Sequence, residues 1–182
     1  NFPQVAAALS QLRQDVAEQV TARALNATVA QARTAMSREI RADYNLSASY
    51  VRERLQIKRA SYRGGRLELE AVLTGGDGKR RSANVIAFSA KQTAEGVSVK
   101  IRKNGGRRLI RSAFIGNKGR TVFAREGKRR LPIQSVRTID VPQMFNARRV
   151  NGAVMRAIDT RFAAVFEREL AYALDRMAAS TR

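Results

Sequence analysis

The chain has 182 residues, 44% of them apolar, and carries 35 Lys and Arg against 15 Asp and Glu, a formal charge of +20. That length suits one domain with a real core, and the charge favours polyanions or acidic proteins as partners. With neither His nor Cys, it cannot build a disulfide framework, the usual zinc sites, or Ser-His and Cys-His nucleophile systems. No apolar run approaches the ~18 residues of a membrane span, so no membrane is expected. The chain opens on Asn1, so a few residues are expected ahead of it, and nothing near the start has a signal-peptide pattern.

Phe2 to about Asp43 reads as a long helix. Val5, Leu9, Leu12, Val16 and Val20 fall at steps of three and four, as do Leu25, Val29, Ala32, Met36 and Ile40. The five-residue step from Val20 to Leu25 permits a bend. Alanines make the helix slim, and its narrow apolar stripe calls for a partner helix. A break follows at Asn45-Leu46-Ser47, after which Ser47 or Ser49 caps a short helix running to Leu55.

From Gln56 the period changes to that of strands. Gln56–Ser61 and Arg66–Leu73 are expected to pair through a Gly64-Gly65 turn, the second with Leu67, Leu69, Ala71 and Leu73 inward and Glu68 and Glu70 outward. Gly75–Arg81 is a glycine loop followed by bare charge, and Asn84–Ala90 reads as an apolar strand. Val97–Ile101 is expected to pair with Leu109 onward across the Asn104-Gly105-Gly106 turn. Leu109–Phe114 and Thr121–Arg125 are further strands, with Gly116 and Gly119 in a flexible link.

Ala147 to about Ala179 is a second long helix, striped by Val150, Val154, Ile158, Phe162, Val165, Phe166, Leu170, Ala173, Leu174 and Met177. Phe114, Phe123, Phe162 and Phe166 are expected in the core. The fold class is therefore α+β, with long N- and C-terminal helices flanking a central, mainly antiparallel sheet. We expect one domain over 1–182, comprising a helical segment 1–55, a β-rich core 56–146 and a C-terminal helix 147–182. At least one helix is expected to pack across the sheet.

Catalysis lacks an inventory. The acids are scattered; Glu68 and Glu70 share the wet face of a strand, and Glu167 and Glu169 lie about 200° apart on a helix, so neither pair converges on a metal. The Gly75–Lys79 loop fails as a phosphate-binding loop, because Leu73 and Arg80 stand where glycine and Ser/Thr are needed. No enzyme activity and no cofactor are expected. Cations do concentrate at expected hairpin tips: Lys79, Arg80 and Arg81; Arg102, Lys103, Arg107 and Arg108; and Lys128, Arg129 and Arg130. These are candidates for sequence-independent contact with DNA phosphates.

Pro132 and Pro142 enforce extended backbone and remove amide donors, which suggests an irregular or edge connection ahead of the last helix. Leu131, Pro132, Ile133, Val141, Pro142, Met144 and Phe145 then belong either to a well-packed connector or to an arm that docks on a neighbouring subunit, and the residues alone leave both open.

The order of these pieces carries a resemblance. Gly96-Val97-Ser98-Val99, Ala113-Phe114-Ile115, Val122-Phe123, Arg125, Gly127, Arg130, Leu131-Pro132-Ile133 and Val141-Pro142-Gln143-Met144-Phe145 resemble the minor tail protein Z family of long-tailed bacteriophages. Thr138-Ile139-Asp140 stands where family members often carry Gly-Pro-Ser. The resemblance implies a structural, tail-completion or neck component at the head-proximal end of the virion tail, assembled in the host cytoplasm. It also implies a homo-oligomeric ring, commonly of six, around the channel that DNA crosses, next to the terminator, tube and tape-measure proteins. The alternative that charge alone leaves open is a free-standing nonspecific nucleic-acid-binding protein.

Overall fold

The computed structural model describes residues 14–63, 66–68, 70–75 and 82–180. Among these described residues, helices α1 (Gln14–Asp43), α2 (Ala48–Glu53), α3 (Val141–Phe145) and α4 (Arg148–Ser180) bracket twelve short strands. The strands are β1 (Leu55–Lys58), β2 (Ser61–Arg63), β3 (Arg66–Glu68), β4 (Val72–Gly75), β5 (Ser82–Asn84), β6 (Lys91–Thr93), β7 (Gly96–Val99), β8 (Arg108–Arg111), β9 (Ala113–Gly116), β10 (Thr121–Arg125), β11 (Ile133–Ser135) and β12 (Arg137–Ile139). The α+β class, with terminal helices around antiparallel sheets, is as the periodicity requires. Two compact units divide the chain.

The first unit comprises 1–36, 57–74 and 151–182. One apolar cluster in it is helix on helix: Val20 and Ala24 of α1 pack with Val165 and Phe166 of α4, flanked by Val16, Ala27, Phe162, Leu170 and Ala173. Fully burying side chains of the size of Val165 and Phe166 stabilises by about 1.5–3 kcal/mol each. Arg23 lies over the Tyr172 ring and Arg161 donates to Gln31, so the two helices run antiparallel. Of the stripe expected beyond Val20, Val29, Ala32, Met36 and Ile40 are buried. Ala24, Thr28 and Ala32 continue the buried row at steps of four, and Leu25 is only half-buried. Ala24, small enough to let Val165 and Phe166 of α4 approach closely, is a core position that hydrophobicity alone underweights. Residues 2–13 of the expected helix lie outside the described residues.

β2 and β3 pair antiparallel around positions 64–65, with Arg63 opposite Arg66, and β1 pairs with β4. Asn26 of α1 brackets Ala60, its carboxamide accepting from the Ala60 N–H and donating to the Ala60 carbonyl, both at 2.9 Å. One side chain thus completes the backbone bonds of an irregular residue between two strands.

The second unit comprises 37–56 and 75–150. One apolar cluster in it is Val85, Val97, Val99, Ala113 and Val122, with Ile86, Ile101, Ile110, Ile115, Ala124 and Val136 packed around them. The sheets run β6-β7-β8 and β11-β10-β9, with β12 paired to β5. The predicted β7–β8 hairpin forms, Val97 opposite Ile110 and Ser98 opposite Leu109. Gly96 has φ +151, and a Cβ there would stand 2.2 Å from the Ile110 carbonyl oxygen, so only glycine fits.

Several expectations need correction. The strand read over Asn84–Ala90 ends at Asn84 and gives way to a 3₁₀ turn, Val85–Ala87. Leu109–Phe114 is two strands, broken at Ser112, whose φ is +59. The link between Gly116 and Gly119 is a closed hairpin turn in which Asn117, Lys118 and Gly119 all take positive φ. Pro142 sits in the first turn of α3, where its missing N–H costs nothing, and not in extended backbone. Of the four phenylalanines expected in the core, only Phe166 is fully buried, and Phe114, Phe123 and Phe162 are half-buried. Of the apolar clusters among the described residues, one pairs helices and another is lined by strands and the 3₁₀ turn.

Candidate functional site

The predicted cationic tips occupy two separate places in the second unit. Arg102, Lys103, Arg107 and Arg108 surround the β7–β8 loop, and all are exposed. Within it Arg107 has a structural task, donating from Nε to Ser98 Oγ at 2.8 Å and from Nη2 to the Ser98 and Ser89 carbonyls at 2.7 Å. Arg102 lies over the Tyr44 ring and forms an isolated bridge with it. The Lys103 N–H closes onto the Asp43 carbonyl at the end of α1. Lys103 and Arg108 leave their charged ends to solvent.

Lys128, Arg129 and Arg130 form the second tip, in the loop from β10 to β11, exposed and in no ion pair among the described residues. Arg125, at its root, donates its N–H to the Ser112 carbonyl. The two tips are therefore rooted at opposite ends of β8, roughly 13 Å of strand apart at about 3.3 Å per residue, and do not merge into one cluster. Lys79, Arg80 and Arg81 lie outside the described residues.

The seven residues of the expected arm divide. Leu131 is 64% exposed and Ile133 37%, and Pro132 is exposed with them. Val141 and Met144 are 0% and 1% exposed, and Pro142 and Phe145 are half-buried. Val141 and Met144 hold the protomer's own fold and offer a neighbour nothing.

What fixes α3 is an acid whose task the sequence reading missed. Asp140 is 2% exposed and caps α3, accepting from the Val141 N–H at 2.7 Å, while Gln143 Oε1 accepts from the Asp140 N–H at 2.7 Å. This is a reciprocal capping box, legible as Asp-x-x-Gln ahead of an apolar pair. Asp140 also accepts from Tyr50 Oη at 3.3 Å and pairs with Arg54 Nε at 3.4 Å, and the Arg54 guanidinium stacks 3.5 Å over the Tyr50 ring. The Val-Pro-Gln-Met-Phe signature is thus a fastening of α3 to α2.

Asn84 plays a matching part among the strands. Its Oδ1 accepts from Val122 N at 2.9 Å and Ile86 N at 3.0 Å, and its Nδ2 donates to the Val122 carbonyl and Ser135 Oγ, both at 3.0 Å. At the start of α4, Arg149 pairs with Asp43 and Glu39, and the Asp43 hydrogen bond raises its pKa above the ordinary arginine value.

No group of three or more metal-binding side chains occurs among the described residues. No described helix is long and apolar enough to cross a membrane. The polar groups that do converge, around Asp140 and Asn84, are consumed in structural bonds. Such a surface offers charge, a strand edge and apolar side chains to a partner. No curated protein and no solved structure matches the chain. The family model for prophage minor tail protein Z (GPZ) matches residues 3–180, so the chain belongs to that family of structural phage tail components.

Proposed function

We propose that this minor tail protein completes the head-proximal end of the tail as one copy of a ring, six-membered in the simplest case, around the DNA channel. Its partners in this reading are the terminator, tube and tape-measure proteins, with DNA passing through the lumen. The observation that carries it is the division of the cations. Arg54, Arg107 and Arg149 are committed to internal bonds, whereas Lys103, Arg108, Lys128, Arg129 and Arg130 stand exposed at hairpin loops. Exposed charge at rigid loop ends meets a phosphate backbone without reading its sequence. The exposed Leu131, Pro132 and Ile133 supply an apolar contact to another tail component.

Electron microscopy of the purified protein and of assembled particles tests this directly. A closed ring at the head-proximal end of the tail is the expected result. A monomer that binds DNA tightly at low salt and never enters tails would overturn it in favour of a free-standing nucleic-acid-binding protein.

A further inference from the structure

The second cationic tip differs from the first in what adjoins it. β11 is an edge strand of the β11-β10-β9 sheet. Val136 N bonds the Val122 carbonyl and Glu126 N bonds the Pro132 carbonyl, so by alternation Gln134 faces β10 and the Ile133 N–H points away from it. On the outer face of the sheet the register places Ile133 beside Arg125, Ser135 beside Phe123, and Phe123 beside Phe114. The two rings lie 5.8 Å apart, with Arg125 4.6 Å over Phe114. Exposed Leu131 precedes the edge, and unpaired Lys128, Arg129 and Arg130 precede Leu131.

From this juxtaposition we propose that the β11 edge is a docking site for an extended, acidic segment of another tail protein, added as a further strand. The inference rests on the tail role proposed above and narrows it, assigning the second tip to protein and leaving the first to DNA. An outward N–H bonds a polypeptide strand, and aliphatic Leu131 and Ile133 fill the spaces of its alternate side chains. Neither feature adds to a contact with duplex phosphates, which cations alone make. A second copy of this chain is a poor occupant, because its 15 acids are dispersed and its net charge is +20. Lys128, Arg129 and Arg130 find their complement in a partner's acidic run.

The test uses the full-length protein in assembled tails, with the photoreactive residue p-benzoylphenylalanine at Leu131 and, as a control, at Arg120 in the β9–β10 turn. Cross-linked peptides are identified by mass spectrometry. The expected product at Leu131 is an acidic, extended segment of a different tail protein. K128E/R129E/R130E lowers its yield by about tenfold, and Ile133→Pro removes the edge donor and lowers it to background without changing the Tm. Cross-links at Leu131 to a second copy or to DNA overturn the inference. So does an unlabelled Leu131 when Arg120 labels tail components, or a yield that survives both variants; each of these leaves the tail role intact. Absence of the wild-type protein from tails overturns both readings.

Discussion

Arg54 Nε lies 3.4 Å from Asp140 Oδ1, across 86 residues of sequence, and the same guanidinium covers the Tyr50 ring. The pair is partly screened on the arginine side, with Arg54 at 24% and Asp140 at 3% side-chain exposure. Asp140→Ala removes the α3 cap and takes one acceptor from each of Arg54 and Tyr50. We expect a loss of about 3–5 kcal/mol, from the cap and the broken buried pair together, in urea unfolding. Arg54→Lys keeps the charge and loses the planar stack, so it is expected to cost less. Equal losses for both variants would contradict this account.

Asn84 makes four hydrogen bonds with one carboxamide, two of them to the backbone of Val122. Asn84→Ala strands a buried N–H and C=O pair, for an expected cost of about 2–3 kcal/mol. Asn84→Asp costs more than Ala near neutral pH, because it sets an anion against the Val122 carbonyl. Amide exchange at Val122 is the readout, and unchanged protection in both variants would remove Asn84 from its assigned role.

The arm residues are expected to separate by experiment. Met144→Ala opens a cavity in the protomer and is expected to lower stability by about 2–5 kcal/mol. Leu131→Ala leaves the Tm within a degree or two, since a surface truncation falls within about 0.5 kcal/mol, and instead reduces incorporation into tails. Thermal unfolding paired with counts of completed tails distinguishes them; a destabilised Leu131 variant would place that residue in the core.

The first cationic tip offers a sharper division still. Replacing Lys103 and Arg108 together by Gln is expected to leave stability unchanged and to reduce the slope of log binding constant against log salt by about 2 on duplex DNA. Arg107→Gln is expected to lower the Tm as well, because it releases Ser89 and Ser98 from their shared donor. A salt slope untouched by the double variant would take DNA away from this tip.

The sequence by itself determined the two long helices, the β7–β8 hairpin, the strand at Thr121–Arg125, the poverty of catalytic groups and the family. Each of these rests on period, composition or turn chemistry within a short window. It also located the cations, since charge at glycine turns is visible without a fold.

Only the tertiary structure decided which of those residues are spent. Val141 and Leu131 look alike in a hydrophobic pattern, yet one is buried and the other exposed, because α3 folds back under its Asp140 cap while the Leu131 loop runs free ahead of an edge strand. Arg107 and Lys103 look alike in a charge count, yet one guanidinium is held by three acceptors and the other side chain is not. Ala24 entered the core through the Val165 and Phe166 surface and not through its own hydrophobicity. Burial and partnership are properties of contacts between distant residues, and no local pattern encodes which distant residue arrives.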